Sequence, residues 1–480
     1  MPSISSMDWV ALGFVGACAV FLAAAFRDLV PIPPDGYYHV MVARRIVEDR
    51  AIPLWDWWEF APSGRPHLYP PFFHLLIALF SLPFGGDVFL GFRVMTVLLL
   101  PAVLLGEWYF VRTLFGSRWA LFAVLLTGWD PMFVLMALMG LPSILAGGLA
   151  AVAFARFYER KFVSAGALLF GVMAMHPGIG PCTAGGMLAF ALWDGRYRKA
   201  GMWTVVVAAL VASPWYLRLW AYRSWHVHPL EQGIYGEFEG WALVWEKFAW
   251  LQFLNVVMVG LAIWGMRRAR WGESRNRLLL CAIAMYLPLL LSYGGRFYLH
   301  AVPFLAVFAA EPLSRMKWPK SSWSGVARLA ALALCPTLVI VGTGTVVRPG
   351  PLPMVSGWTL PVFLGFGGAR LLDGGAALGL PRYEDVKALA EHVRSETKPG
   401  QVLHVNGGGR DFALMVGALA DRPIDEGAWE EYTPPGARSE ASLEASATDP
   451  AGYYVGMSAR GIPRGVVSER VGRFWVGKRG

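Results

Sequence analysis

Four side chains able to exchange protons or hold polar groups fall within five residues, Asp35, Tyr37, Tyr38 and His39, in the stretch PPDGYYHVMVARRIVEDR. Asp35 and His39 are four residues apart, so on a helix they share one face, with Tyr38 beside them. A carboxylate in that company could act as a general base or hold a cation. It could equally cap a surface helix that begins after Pro33 and Pro34. Farther along, Asp130 in TGWDPMF is the only acid between Arg118 and Glu159. Inside an apolar segment such a carboxylate costs about 2.5–3.5 kcal/mol on insertion scales and usually faces a polar cavity. The proline that follows it can open the helix locally. Arg296, in GGRFYLHAVPFLAV, is the one basic residue of a turn otherwise free of positive charge. A guanidinium there suits a phosphate, or snorkels to an interface. His176, in AMHPGIG, is either a polar cavity residue or a structural one.

The elements that must position these residues are apolar. The chain has 480 residues, 56% hydrophobic and 16% charged, with 22 Trp and 29 Phe. Apolar runs near the length of a bilayer crossing recur along the first 350 residues, separated by short basic loops, as in polytopic helical membrane proteins. Spans are expected at 9–26, 88–111, 119–138, 141–157, 162–175, 181–193, 201–214, 250–266, 278–292, 298–311 and 326–346. The pair 162–175 and 181–193 could instead be a re-entrant hairpin. Residues 70–84 read as a juxtamembrane helix. The positive charges cluster in alternate loops, around Arg112, Arg156, Arg196, Arg267 and Arg315. The positive-inside rule places these loops and the N-terminus in the cytoplasm of a multi-pass plasma-membrane protein. That topology explains the net charge of +9 without a nucleic-acid partner. All four cysteines lie in apolar segments, where they read as small core side chains.

After about Pro381 the pattern changes. YEDVKALAEHVRSE has helical periodicity, QVLHV reads as a strand, NGGGR as a turn, DFALMVGALA as a helix and RPIDEG as a strand edge. The fold class expected is therefore an α-helical polytopic membrane protein of about 11 transmembrane helices, with a small C-terminal extracytoplasmic α/β domain. The boundaries expected are 1–347 for the membrane domain, with 27–86 as its first external loop, 348–380 as linker or outer loop, and 381–480 for the α/β domain.

The first external loop resembles that of the GT-C superfamily of glycosyltransferases. It is most similar to the oligosaccharyltransferase catalytic subunit of archaea and bacteria, and more loosely to protein O-mannosyltransferases and lipid A aminoarabinose transferases. Asp35 followed by Tyr37, Tyr38 and His39, then Pro53, Trp55 and Asp56, then Pro62 and Gly64, then Pro70, Pro71 and Phe72, follow the family's order over about forty residues. Arg296, Tyr298 and Pro303 resemble its Arg-Phe-x-x-Tyr-x-x-Pro element, with the Tyr one place earlier. The family's Trp-Trp-Asp motif, which reads an Asn sequon, is absent from the tail.

The resemblance implies a GT-C membrane enzyme that moves a sugar or glycan from a polyprenyl-phosphate donor to an acceptor at the outer membrane face. It implies Asp35 as the catalytic residue, Tyr38, His39, Asp56, Asp130 and His176 in the substrate cavity, and Arg296, Tyr298 and His300 at the lipid phosphate. A divalent cation, Mg2+ or Mn2+, is implied beside Asp35 and Asp130. The competing class is a transporter or flippase, which short broken spans and an acid at membrane depth would also suit.

Overall fold

The computed structural model describes residues 4–25, 35–128, 130–138, 140–225, 256–315, 383–406, 409–425, 452–459, 462–463 and 466–478. The expected span 326–346, the linker 348–380 and most of the outer stretch 215–250 lie outside them. The chain divides into two compact units.

The first unit comprises Met1–Arg27, Thr96–Tyr216 and Pro229–Ala369. Its helices are α1 (Ser6–Ala25), most of α4 (Val88–Phe115), α5 (Ser117–Gly128), α6 (Pro131–Leu138), α7 (Pro142–Tyr158), α8 (Phe162–Met173), α9 (Ile179–Trp193), most of α10 (Arg198–Ala221), α11 (Val256–Arg268), α12 (Ser274–Ala284) and α13 (Leu287–Ser314). Among the described residues, α4 and α10 are long and apolar enough to cross a membrane by length and composition. The others are shorter or incompletely described. Close approach is bought with glycine where α4 meets α7: a Cβ on Gly106 would lie 2.8 Å from the carbonyl oxygen of Gly148. The start of α1 is tied down by a buried carboxylate. Asp8 accepts from Ser5, from Trp108 Nε1 at 3.1 Å and from Ser117 Oγ at 2.7 Å, and pairs with Arg112 at 3.0 Å.

Two expectations are corrected here. The span expected at 119–138 is two helices, because the chain leaves α5 after Gly128 and Pro131 starts α6. The turn expected at Tyr293–Gly295 lies inside α13, so the boundary between the segments expected at 278–292 and 298–311 is misplaced. The break falls at Met285–Tyr286 instead, where Pro288 sits in the first turn of α13. The Gly-Gly pair that suggested a turn is accommodated within a 28-residue helix.

The second unit comprises Asp28–Met95, Leu217–His228 and Arg370–Gly480. Its early part holds α2 (Asp35–Asp49), the two-residue strands β1 (Trp55–Asp56) and β2 (Arg65–Pro66), and α3 (Phe72–Ser81). Its late part holds α14 (Tyr383–Glu396), β3 (Leu403–Asn406), α15 (Gly409–Ala420), β4 (Tyr453–Gly456), β5 (Val467–Val471) and β6 (Phe474–Lys478). The sheet order is β3-β4-β6-β5, with β3 and β4 parallel and the other pairs antiparallel. β4 is buried at every position, as expected of an inner strand covered on both faces.

The external loop and the C-terminal segment share one core. Tyr37, Tyr38, Met41 and Val42 of α2 pack in the same cluster as Leu389 and Val393 of α14 and Phe412 and Val416 of α15. Each fully buried side chain of this size contributes about 1.5–3 kcal/mol. Backbone bonds join the two parts as well: Ile424 N–H donates to Trp58 O at 2.9 Å, and Ala61 N–H to Ile424 O at 3.0 Å. Ile424 in turn bridges Leu403 of β3.

Candidate functional site

The helix α2 forms where the sequence predicts, just after Pro33 and Pro34. Its first turns are buried on all sides, with Tyr37, Tyr38, His39, Val40, Met41 and Val42 all inside, while Arg45, Glu48 and Asp49 near its end stay toward solvent. Asp35 is its first residue. Nothing in the described side chains bears on how its carboxylate points.

Opposite the helix stands the β1–β2 hairpin, whose register sets Asp56 against Arg65. The return of the chain depends on Gly64. It takes a φ of +66°, and a Cβ there would lie 2.7 Å from both Asp56 O and Trp55 Nε1. Arg218 clamps the hairpin from outside, donating to the carbonyls of His67 and Leu54.

The hairpin, α2 and α3 enclose a polar cluster with no room for bulk water. Asp56, Glu59, Arg65, His67, His39 and His74 are all buried. Tyr38 donates its hydroxyl to Asp56 Oδ2 at 3.0 Å and sits 2.9 Å from His67 Nδ1. His67 Nδ1 is also 2.9 Å from Asp56 Oδ1, so this nitrogen carries the proton facing the carboxylate. Arg65 donates its Nε to Glu59 Oε2 at 3.0 Å, lies 3.6 Å from Asp56, and stacks over the Tyr38 ring at 5.2 Å. His39 Nδ1 meets His74 Nε2 at 2.9 Å; Phe73 and Tyr69 stand edge-on to the His39 ring.

The electrostatics follow from burial. Burial pushes the Glu59 carboxyl up to about 7, against the pull of Arg65. It also opposes the charge on Arg65, but Glu59, Tyr38 and Asp56 together hold that guanidinium above its ordinary value. Burial, with Asp56 beside it, keeps the Tyr38 phenol protonated. Burial, aided by His39 and His67, holds His74 well below its ordinary value and hence neutral. The arrangement is a set of proton donors and acceptors locked in place, able to orient a carboxylate and to pass a proton without reorganising. Replacing Tyr38 by Phe removes one donor to a buried carboxylate, a loss of about 1–2 kcal/mol. The thermal midpoint of the purified protein is expected to fall accordingly, while Tyr38→Phe retains the ring contacts.

The structure thus brings Tyr38, His39 and Asp56 together. It also adds Glu59, Arg65, His67 and His74, which the sequence displays only as charges of an aromatic-rich loop; the pairing of Arg65 with Asp56 needs the hairpin register to be seen. In the other unit, Asp130 accepts the Phe133 N–H at 2.9 Å and so caps α6. Nearby, Thr127 donates at 2.7 Å to Glu107, a buried carboxylate that drew no notice in the sequence. His176 Nδ1 accepts the amides of Gly178 and Ile179 at the start of α9, and its ring lies 6.4 Å from that of His300. Arg296 and Tyr298 fall on α13, ahead of His300, and their side chains are outside the described set.

Among the described residues no group of three or more His, Cys, Asp or Glu side chains is placed to hold an ion, and Asp130 already gives one oxygen to its helix.

Comparison with solved structures gives the fold its relatives. The chain superposes on ArnT from Cupriavidus metallidurans bound to undecaprenyl phosphate with a TM-score of 0.63, at 16% identity, over 98% of each chain. The Archaeoglobus fulgidus oligosaccharyltransferase in complex with Zn and sulfate superposes with a TM-score of 0.58, at 14% identity, over 93% of this chain and 67% of that one. The fold is shared with these two solved structures. A third structure, the arabinofuranosyltransferase AftD from Mycobacteria, matches with a TM-score of 0.56 and 15% identity over 98% of this chain, which spans only 39% of AftD. No protein-family profile matches the sequence, and no curated protein does either. At these identities the likeness is one of backbone fold.

Proposed function

We propose that the protein is an integral-membrane glycosyltransferase that uses a polyprenyl-phosphate-linked sugar. The observation that carries this reading is the GT-C fold, matched over nearly the full length of a protein solved with undecaprenyl phosphate. The buried polar cluster packed against α2 supports it, because it fixes the helix that begins with Asp35.

In this reading Asp35 takes the proton of the acceptor hydroxyl. The acceptor oxygen bonds to the anomeric carbon, and the bond from that carbon to the phosphate oxygen breaks. Arg296 receives the polyprenyl phosphate that leaves, with Tyr298 and His300 beside it. Tyr38, His39, Asp56, Asp130 and His176 are the residues assigned to the substrate cavity in this reading. The reaction takes place at the outer face of the cell membrane, with the N-terminus in the cytoplasm and the C-terminal α/β segment outside. A divalent cation beside Asp35 draws its support from the Zn held by the oligosaccharyltransferase neighbour alone.

The test is sugar transfer in membranes with a panel of radiolabelled polyprenyl-linked donors. Wild type is expected to transfer label, and Asp35→Asn and Arg296→Ala to abolish it. Transfer surviving Asp35→Asn removes Asp35 from the chemistry. No transfer from any donor, with cell-derived acceptors present, favours a transporter or flippase.

A further inference from the structure

A cavity of about 760 Å³ lies on the second unit, away from the buried cluster and lined from both ends of the chain. Trp55 and Trp57 come from the β1 hairpin, Arg45, Glu48 and Asp49 from the end of α2, and Asp421 from just after α15. The burial of neighbouring side chains divides the cavity from the cluster: Asp56 is fully buried, whereas Trp55 is half-buried and Trp57 exposed. Trp57 is 61% exposed, although it is among the largest apolar side chains of the protein. The two indoles are 5.7 Å apart and tilted by 41°, and Trp225 braces Trp55 edge-on at 5.7 Å.

The charged side chains are held in a fixed pattern. Arg45 pairs with Glu48 at 2.7 Å and with Asp421 at 3.2 Å. Arg44 adds a second bond to Asp421 at 2.9 Å. The cavity therefore combines indole faces with two carboxylates, Glu48 and Asp421, paired to guanidinium groups.

We propose that this cavity binds a neutral sugar ring. Its volume falls in the range of ligand pockets, about 300–1,000 Å³. A pyranose presents a face of C–H bonds, which rests on the electron-rich face of an indole. Its rim of hydroxyls donates to carboxylates and accepts from guanidinium groups, and Arg45, Glu48 and Asp421 supply both. An anionic sugar meets three carboxylates, Glu48, Asp49 and Asp421, against two guanidinium groups, Arg44 and Arg45. A cationic peptide meets Glu48 and Asp421 already paired to those guanidinium groups, with Asp49 the one lining carboxylate outside the pairs. A lipid surface would have to strip water from this charged rim. The sugar reading depends on the lining chemistry, not on the transfer reaction.

The experiment is a binding titration on the full chain in lipid nanodiscs, which avoids detergents with sugar head groups. Cellobiose, chitobiose and mannobiose are titrated by calorimetry and by tryptophan fluorescence, beside a glucuronate disaccharide and trilysine. At least one neutral disaccharide is expected to bind saturably. Trp57→Ala is expected to weaken that binding about ten-fold or more, with Trp57→Phe in between. Asp35→Asn is expected to bind as wild type, so that failure of transfer and failure of binding are read separately. The proposal is overturned if no neutral disaccharide binds, or if the glucuronate disaccharide or trilysine binds more tightly. It is also overturned if both Trp57→Ala and Trp55→Leu bind like wild type, if Asp35→Asn abolishes binding, or if brominated lipid quenches Trp57 while no sugar does.

Discussion

Arg65→Ala is expected to cost about 3–5 kcal/mol of stability at pH 8, the loss that follows when one partner of a buried ion pair is removed. Arg65 is 1% exposed and serves two carboxylates, Glu59 at 2.9 Å and Asp56 at 3.6 Å. Without it both acids remain buried beside a cavity the size of the lost side chain. The Tyr38 ring also loses the cation stacked on it. Denaturant unfolding of the purified protein, followed through the Trp signal, measures the loss. A substitution of matching shape, Arg65→Met, separates the two contributions: it refills the cavity but leaves the acids without their cation, so most of the loss is expected to remain. A loss below about 1 kcal/mol in both variants would show that the guanidinium does not hold the cluster together.

The second large effect is one of pH. Glu59 has a folded value of about 7 against an ordinary 4.5. Between these two values the folded protein keeps a proton that the unfolded chain has released. Stability therefore falls as pH rises through this window, with the favourable contribution fully present below about 4.5 and gone above about 7. The linkage is on the order of 3 kcal/mol. Glu59→Gln, which cannot ionise, is expected to flatten the dependence of unfolding free energy on pH across 5–8. An equal slope in wild type and Glu59→Gln would assign the titration elsewhere. The two predictions are coupled: Arg65→Ala is expected to cost less at pH 5.5 than at pH 8, because the acid it abandons can then be protonated.

What the sequence made legible follows from signal length. The helix of residues 35–49 is bracketed by two prolines and by a run of apolar and charged residues at helical spacing, so α2 was readable to the residue. The helices at 383–396 and 409–420 carry the same long-range periodicity. The strands do not. β1 and β2 are two residues each, too short for any alternation, and they exist because Gly64 and Arg218 hold them in register. β4 is four residues buried on both faces, which erases the period of two that marks a half-buried strand. The hidden parts of the site share this cause. Tyr38 and His39 could be named from their helix face, whereas Arg65, Glu59 and His67 join them through pairings between segments. The misplaced break near residue 294 has the opposite origin: Gly-Gly is a strong local turn signal, and the surrounding helix overrode it.

The shared core of the second unit also sets a timetable. Arg44 on α2 donates to the Ala418 carbonyl at 2.8 Å, across 374 residues of chain. At the usual pace of synthesis, about 5–20 residues per second, the partner of α2 emerges from the ribosome roughly 20–75 s after α2 itself. Through that interval Tyr37, Tyr38, Met41 and Val42 have been made but have nothing from α15 to pack against. The loop of residues 35–81 is thus among the first parts of the protein to be synthesised and among the last that can become native, and a cell that makes this protein must keep that apolar face out of trouble for the better part of a minute.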